Sequence, residues 1–233
     1  MSKILMVVSG ADSMKLADGS VHPTGYWAEE VAASHEVLRA AGAEVDVATP
    51  GGVRPTVDQL SLDARGGVPA ADAERFRGYL ASIADVLDTP MALADVRAGD
   101  YDAIYLPGGH APMADLAESA DLGRLLNEAD AQGKTVAALC HGVAALLSAA
   151  RDDGGFTFAG RRLTSFTDEE ERQGGLGDNA PYFVETRLRE RGAVLDTGAP
   201  WSRKVVQDGN LITGQNPQSS TDTADRVLAA LNG

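Results

Sequence analysis

Cys140, the single cysteine of the chain, is followed by His141 and Gly142 in a pattern suited to nucleophilic catalysis. An apolar run at 135–139 precedes it, and an Ala- and Leu-rich stretch at 143–150, predicted to be a short helix, follows it. A reactive residue in a sharp turn between a strand and a helix forms a nucleophile elbow, whose backbone is often strained. The helix N-terminus would favour a thiolate, and Gly142 would permit the tight turn. On residue type alone, a lone cysteine is more often an inert small hydrophobe.

A second loop of chemical interest is Pro107-Gly108-Gly109-His110, which follows another apolar run at 101–106. A glycine pair after a strand is usually only a turn. In an open α/β sheet, however, binding sites lie at the carboxyl ends of the strands. Two such loops after two buried strands therefore favour a functional site.

Strands and helices alternate along most of the chain, which positions both loops. The predicted elements are a strand at 4–8, a helix at 25–41, strands at 44–49 and 101–106, a helix at 116–132 and a strand at 135–139. The first three give β-α-β, which predicts a parallel pair with a right-handed crossover. The whole order predicts a doubly wound, mostly parallel α/β sheet flanked by helices, a flavodoxin-like sandwich.

Residues 50–98 interrupt this alternation and are predicted to be an insertion or lid with a helix at 70–86. So short a segment cannot bury much core alone, so the chain 1–233 is predicted to form a single α/β domain. The C-terminal part predicts two hairpins and two helices. The hairpins are placed at 156–166 and 201–214, and the helices at 182–192 and 221–231.

The charge balance excludes several classes of partner. The 233 residues include 20 Lys and Arg against 34 Asp and Glu, a formal net charge of −14. An acidic surface repels phosphate backbones and anionic membranes, so binding to nucleic acid or to a membrane is not expected. No apolar run approaches the ~18 residues that span a bilayer, and no signal-peptide core is evident. With one cysteine and hence no internal disulfide, the sequence indicates a cytoplasmic protein.

Several stretches resemble the ThiJ/PfpI superfamily, relatives of the class I glutamine amidotransferases. They are L-P-G-G-H at 106–110 and A-L-C-H-G at 138–142. Others resemble its heat-shock chaperone branch, which includes the glutathione-independent glyoxalases (glyoxalase III). These are T-G-Y-W-A-E-E at 24–30, S-F-T-D-E-E-E at 165–171, Y-F-V-E-T at 182–186 and L-I-T-G-Q-N-P at 211–217. The resemblance covers about residues 3–231.

The resemblance implies catalytic roles for four residues. Cys140 matches the nucleophile of the family, and His141 matches the adjacent proton-transfer partner. Glu30 matches a helix glutamate that hydrogen-bonds the cysteine sulfur. Glu171 matches the acid that orients the histidine in this branch.

Further positions are implied or remain ambiguous. Gly109 matches an oxyanion-hole position, its N–H acting beside the amide of the catalytic histidine, and His110 is counted with it as substrate-binding. Glu29 sits beside the helix glutamate but points about 100° away from it, so only one of the two reaches the thiol. Asp168 and Glu170 compete in the same way for the role of the orienting acid.

The chemistry of these groups agrees with the implied activity. A thiolate adds to the aldehyde of methylglyoxal to give a hemithioacetal. A proton then moves between the two carbons while oxyanion-hole donors stabilise the charge, and hydrolysis of the thioester releases lactate. A protonated Glu30 would donate to the thiolate, which requires a carboxyl pKa raised by burial. No metal and no nicotinamide cofactor is needed, and the resemblance implies a homodimer acting on a small 2-oxoaldehyde.

Three other functions remain open, and two features depart from the branch. The alternatives are a stress-response holdase chaperone, a redox sensor in which Cys140 forms a sulfinate, and an amidase- or peptidase-type hydrolase. Ala33 and Ser34 replace a common His-Pro, which would alter the pocket wall or the dimer surface. Some long members hold a metal with two histidines and a carboxylate. His22 and His35 match no such spacing, so both are predicted to be loop or surface histidines.

Overall fold

The computed structural model describes residues 2–151 and 153–233. Within these ranges, no helix combines the length and the apolar character needed to cross a membrane. The helices and strands are, in chain order, β1 (Lys3–Val7), β2 (Ser13–Lys15), β3 (Val21–Pro23), α1 (Ala28–Ala40), β4 (Glu44–Thr49), α2 (Ala70–Ser82), α3 (Ala84–Asp88), β5 (Met91–Ala92), β6 (Ala103–Leu106), α4 (Ala120–Ala131), β7 (Thr135–Leu139), β8 (Arg162–Leu163), α5 (Asp168–Gly174), α6 (Val184–Glu190), β9 (Val194–Leu195), β10 (Val205–Asp208), β11 (Leu211–Gly214) and α7 (Ser220–Asn232).

Seven strands form the central sheet, in the order β10-β11-β7-β6-β1-β4-β5. All neighbours are parallel except β10 and β11, which are antiparallel. This arrangement confirms the predicted doubly wound, mostly parallel α/β fold. The chain leaves β1 toward β4 on one side and later returns to β6 on the other, so the strand order reverses beside β1. Ligands of open α/β sheets bind in the crevice at such a reversal.

Residues 4–7 of strand β1 are apolar and buried because helices cover both faces of the sheet. Ile4 and Met6 point into a core cluster that also contains residues of α1 and α7. Leu5 and Val7 point into the opposite cluster, which contains residues of α4 and α6. Alternate side chains of one strand thus pack in two separate cores, which holds the strand ends rigidly in place.

The segment 50–98 packs on α1 through α2, and it also supplies β5, the edge strand paired with β4. The predicted helix at 70–86 is two helices, because Ile83 leaves helical geometry at φ −111° and ψ 19°. Residues 11–24, between the first predicted strand and the first predicted helix, contain the small hairpin of β2 and β3.

The predicted hairpin at 156–166 is wrong. Phe156 and Phe158 are buried in the core with their ring centroids 5.8 Å apart, and the chain between them forms turns rather than a strand. Strand β8 instead pairs in parallel with β9, which follows α6. The buried aromatic side chains therefore produced the alternation of apolar and polar residues that is typical of a strand, although no strand forms there. The second hairpin is confirmed, although its first strand begins at Val205.

The predicted helix at 143–150 is also corrected. Residues Cys140–Ser148 wind as 3-10 turns, all but the last two of them fully buried. Helix α5 was not predicted, although a signal was present. Thr167 and Glu170 form a capping box, in which each side chain bonds the backbone N–H of the other.

Candidate active site

Cys140 lies directly after β7 in the left-handed region of backbone space, at φ 55°. Apart from glycines, Trp201 is the only other residue in the described ranges with a positive φ. The predicted strained elbow is therefore confirmed. This conformation costs a side-chain-bearing residue roughly 1–2 kcal/mol. A Cβ at Gly142 would clash with the carbonyl oxygen of Leu106, so the turn also requires glycine there.

The loop after β6 lies against this elbow because β6 and β7 are parallel neighbours. A Cβ at Gly108 would lie 2.6 Å from the backbone nitrogen of Gly142 and 2.9 Å from that of His141. Gly109 has φ 93°, and a Cβ there would clash with the carbonyl oxygen of Gly25. Gly108 therefore lets the loop after β6 approach the backbone amides of the elbow, as an oxyanion hole requires, and Gly109 lets the same loop approach the chain before α1.

A chain of contacts links the cysteine to a carboxylate. His141 Nδ1 lies 3.3 Å from Cys140 Sγ, and His141 Nε2 lies 2.6 Å from Glu171 Oε2. A carboxylate accepts hydrogen bonds, so Nε2 carries the proton and Nδ1 is left as an acceptor facing the sulfur. This tautomer is the one that can remove a proton from the thiol.

Burial and charge set the protonation of this pair. Burial lowers the pKa of His141, His110 lowers it further, and Glu171 opposes both. For Glu171, burial raises the pKa, but the attraction and hydrogen bonds of the two histidines outweigh it and hold the pKa well below its usual range. At neutral pH the pair is therefore a neutral imidazole and a carboxylate, ready to accept a proton.

Glu30 approaches the cysteine from α1. Its Oε2 accepts the Gly108 N–H at 2.6 Å, and its buried Oε1 has no partner within the described ranges. Burial raises the pKa of Glu30 to about 8, as the sequence argument required. Burial, and then the neighbouring Glu30, also raise the pKa of the Cys140 thiol well above its usual value. Burial therefore opposes the thiolate that the sequence led us to expect and favours the thiol.

Replacement of Glu30 by glutamine is expected to flatten the pH dependence of stability between about pH 5 and pH 8. The folded-state pKa of about 8 exceeds the value of ~4.3 of an exposed glutamate. The folded protein thus binds more protons than the unfolded chain in this window, and stability falls as pH rises, by up to about 1.4 kcal/mol per pH unit. Urea unfolding of wild type and Glu30→Gln across this range measures the difference.

The control for that comparison is Glu36→Gln, which alters an exposed glutamate on the same helix. Its pH profile should run parallel to that of wild type. A Glu30→Gln profile that also runs parallel to wild type would contradict the raised pKa.

The competing acids lie in different places. Glu29 lines the cavity beside the site, half-buried, and burial followed by the charge of Asp72 raises its pKa to about 7. Asp168 binds the backbone and hydroxyl of Thr186. Among the three candidates on α5, only Glu171 contacts the ring of His141 within the described residues.

Glu170 has a separate structural role that the sequence analysis did not predict. This buried carboxylate accepts five hydrogen bonds from three segments, and their donors are Thr167 N and Oγ1, Trp201 N, Gln215 Nε2 and Asn216 Nδ2. It thereby ties the start of α5 to the loop before β10 and to the loop after β11. Because Glu171 is the next residue, this network fixes the acid that contacts His141.

The site opens into a cavity of about 440 Å³ that Cys140 and His141 line. The ring of Phe166 lies 4.3 Å from that of His141, and Trp201 contacts Phe166 edge-on at 5.6 Å. Sequence reasoning missed both aromatic walls. The signal for Phe166 was its place in the quoted 165–171 stretch, whereas Trp201, at φ 63°, had none.

One group of side chains could in principle hold a metal. Ligand atoms of His110, His141 and Glu171 lie within 4.8 Å of one another. Two ligands of one zinc ion stand roughly 3.3 Å apart, given bonds of about 2.0–2.2 Å in a tetrahedron. The 2.6 Å between His141 Nε2 and Glu171 Oε2 is shorter and fits a hydrogen bond.

The prediction that His35 is a loop or surface histidine was wrong. His35 is buried, and its Nδ1 lies 2.9 Å from the Tyr79 hydroxyl.

A comparison with family-wide sequence patterns matches residues 23–230 to the DJ-1/PfpI family. The chain belongs to the DJ-1/PfpI family. The resemblance stated from the sequence is thereby confirmed over most of the chain. The glycine loop, the elbow and α5 all lie within the matched range.

Individual relatives are similar over most or all of this chain. Glyoxalase 3 of Candida albicans is 27% identical and aligns over 99% of this chain and 98% of its own. A crystal structure of glyoxalase III from the same organism superposes with a TM-score of 0.83 over 98% of this chain and 97% of its own. The glutathione-independent glyoxalase HSP31 of Saccharomyces cerevisiae is 28% identical over 98% of both chains. The protein/nucleic acid deglycase HchA of Staphylococcus aureus is 27% identical over 94% of this chain and 76% of its own.

Proposed function

We propose that the protein converts a small 2-oxoaldehyde, methylglyoxal or a close relative, into the 2-hydroxy acid without glutathione. The observation that carries the proposal is the run of contacts from Cys140 Sγ through His141 to Glu171 beside an accessible cavity. In this proposal the protein is a glyoxalase III-type lyase with a cysteine nucleophile. The names of the Candida and Saccharomyces relatives support the same activity.

Addition to the aldehyde uses the thiol and its two neighbours. His141 Nδ1 takes the thiol proton as the sulfur bonds to the aldehyde carbon, and the negative charge of Glu171 stabilises the imidazolium that forms. The former aldehyde oxygen then takes this proton and becomes the hydroxyl of the hemithioacetal. Protonated Glu30 donates to the developing thiolate through Oε1, the oxygen that has no other partner in the described ranges. A nucleophile that is charged only during reaction agrees with the raised pKa of the thiol.

Isomerisation of the hemithioacetal follows. A base removes the proton from the former aldehyde carbon, and the neighbouring carbonyl carbon gains one. The hydroxyl proton moves to the neighbouring oxygen, so that the former hydroxyl becomes the carbonyl of a thioester and the former ketone becomes the new hydroxyl. Negative charge gathers on oxygen in between, and we assign its stabilisation to the N–H groups of Gly109 and His141. One such donor contributes about 3–4 kcal/mol in other enzymes. Hydrolysis of the thioester then releases the hydroxy acid.

The size of the cavity supports a second candidate. About 440 Å³ falls in the range that holds drug-sized ligands, whereas methylglyoxal is a three-carbon molecule. An aldehyde adduct carried on a larger molecule would therefore also be admitted. Removal of such an adduct is the activity that the word deglycase denotes in the name of the HchA relative.

We propose a cytoplasmic homodimer that works without a metal or nicotinamide, with no nucleic-acid or membrane partner. The net charge of −14 supports the exclusion of phosphate backbones. Residues 50–98 act as a lid on a single domain, because residues 66–69 and the start of α2 line the cavity. Light scattering of the purified protein tests the dimer.

The proposed activity is tested with purified protein and methylglyoxal in the absence of glutathione. Loss of the aldehyde and formation of D- and L-lactate are measured together, and the two should match. Added glutathione should slow the reaction, because it sequesters the aldehyde in solution. No lactate from a folded protein with a reduced cysteine would contradict the proposal. Release of an amine from a preformed adduct, faster than capture of free aldehyde explains, would favour the second candidate.

A further inference from the structure

His110 shares the carboxylate of Glu171 with His141. Its Nε2 lies 3.3 Å from Glu171 Oε1, and its ring centroid lies 4.1 Å from that of His141. The backbone N–H of Leu176 also donates to Oε1, at 2.6 Å. One carboxylate therefore orients two imidazoles, only one of which reaches the sulfur within hydrogen-bond distance.

The free nitrogen of His110 is accessible. With Nε2–H donating to Glu171, Nδ1 carries a lone pair, and it has no hydrogen-bond partner within the described ranges. Within the described ranges, the buried polar side-chain atoms without a partner are Trp27 Nε1, Glu30 Oε1 and Tyr182 Oη. His110 Nδ1 also lacks a partner but is not one of them, so it is exposed to solvent. The side chain of His110 is 12% exposed, against 2% for His141, and it lines the cavity. Solvent water thus reaches Nδ1 of His110.

The proposed reaction needs a base at three points, and the first and the last of them lie in different places. Removal of the thiol proton requires a base at the sulfur, and His141 Nδ1 is 3.3 Å away. Hydrolysis of the thioester requires a base that can bind a water molecule beside the acyl carbon. In the acyl-enzyme, Nδ1 of His141 still faces the sulfur, which is the leaving atom, whereas His110 lines the cavity from which the water arrives.

We propose that His110 is the general base for thioester hydrolysis, an inference that rests on the proposed function. The oxygen of a cavity water bonds to the acyl carbon while one of its protons moves to His110 Nδ1. The carbon–sulfur bond breaks with its electron pair on Cys140 Sγ. The proton held by His110 returns through water to the sulfur, and the second water proton leaves as the acid ionises. One water is consumed, and thiol, carboxylate and a solvent proton result.

The test compares His110→Gln with wild type. Glutamine keeps a donor for Glu171 but has no basic nitrogen. Lactate formation in steady state should fall about 10²- to 10⁴-fold, the usual contribution of a general base, while consumption of one equivalent of methylglyoxal in a single turnover changes less than about fivefold. The acyl-enzyme should accumulate and be detected by intact mass.

Hydroxylamine makes the test specific, because it attacks thioesters without needing a base. Added to the acyl-enzyme of His110→Gln after free methylglyoxal, with which it forms an oxime, has been removed, it should yield the hydroxamate and restore the free thiol. A residue that only supports Glu171 would instead slow acylation and hydrolysis together, with no acyl-enzyme and no rescue. His22→Gln, in the β2–β3 hairpin, is the matched control and should behave as wild type.

The outcomes separate this inference from the proposed function. If wild type forms no lactate, the proposed function fails. If wild type turns over and His110→Gln releases lactate at the wild-type rate, or slows without accumulating a thioester, only the role of His110 is overturned. His110→Asn, a smaller replacement, is measured alongside in case the glutamine variant does not fold, which circular dichroism decides.

Discussion

Replacement of Cys140 by alanine is expected to abolish lactate formation, lowering kcat by roughly 10⁴-fold or more. Losses of this size follow removal of the nucleophile from other enzymes that form covalent intermediates. Alanine keeps the Cβ that already tolerates φ 55°, so the elbow should retain its shape and the variant should fold. The measurement is lactate formation at saturating methylglyoxal, with unfolding by urea as the test of stability.

Cys140→Ser serves as the second variant, because a hydroxyl is a far weaker nucleophile than a thiol under the same conditions. It should form little or no lactate. More than a tenth of wild-type activity in a folded Cys140→Ala variant would show that the sulfur is not the nucleophile. The proposed hemithioacetal would then be wrong even if the protein is a glyoxalase.

Replacement of Glu171 by glutamine is expected to lower kcat by about 10³- to 10⁴-fold, the second largest effect. The amide can donate to His141 Nε2, which moves the ring proton to Nδ1. Nδ1 then faces the sulfur as a donor and cannot accept the thiol proton. A wrong tautomer in a catalytic triad produces losses of this order. Steady-state kinetics over a range of pH measure the effect, and KM should change much less than kcat.

The matched control is Glu169→Gln, on the same helix. Glu169 is exposed and accepts a hydrogen bond only from Gln173 within the described residues. Its variant should keep wild-type kinetics. Equal losses in both variants would mean that the charge of α5, rather than the orientation of His141, supports activity.

The sheet could be predicted because its strands are buried on both faces. Ile4 to Val8 appear as one apolar run, and such a run admits few other interpretations when helical patterns flank it. The second half of the hairpin predicted at 156–166 contains β8, but its partner β9 could not be predicted, since two residues carry no period. The incorrectly predicted hairpin at 156–166 had the alternation of a strand. Its aromatic residues Phe156 and Phe158, however, insert separately into the core from a segment of turns.

The features of the candidate site could likewise be predicted only in part. The glycines and the elbow could be identified because each role depends on local sequence. The choice between Glu170 and Glu171 could not be made, since it depends on which side of α5 faces the elbow. The protonation of Cys140 also lay beyond local sequence, because burial by distant elements and the neighbouring Glu30 determine it.

The adjacent pair Glu170 and Glu171 also limits how this part of the chain can change during evolution. The two carboxylates point about 100° apart on one helix turn, one into a network of backbone and amide donors and the other to the histidines. Insertion or deletion of one residue between Thr167 and Glu170 would rotate both at once, and no single substitution would restore them. We therefore expect length variation among homologues to fall after α5, in residues 175–183, and not within its first turn.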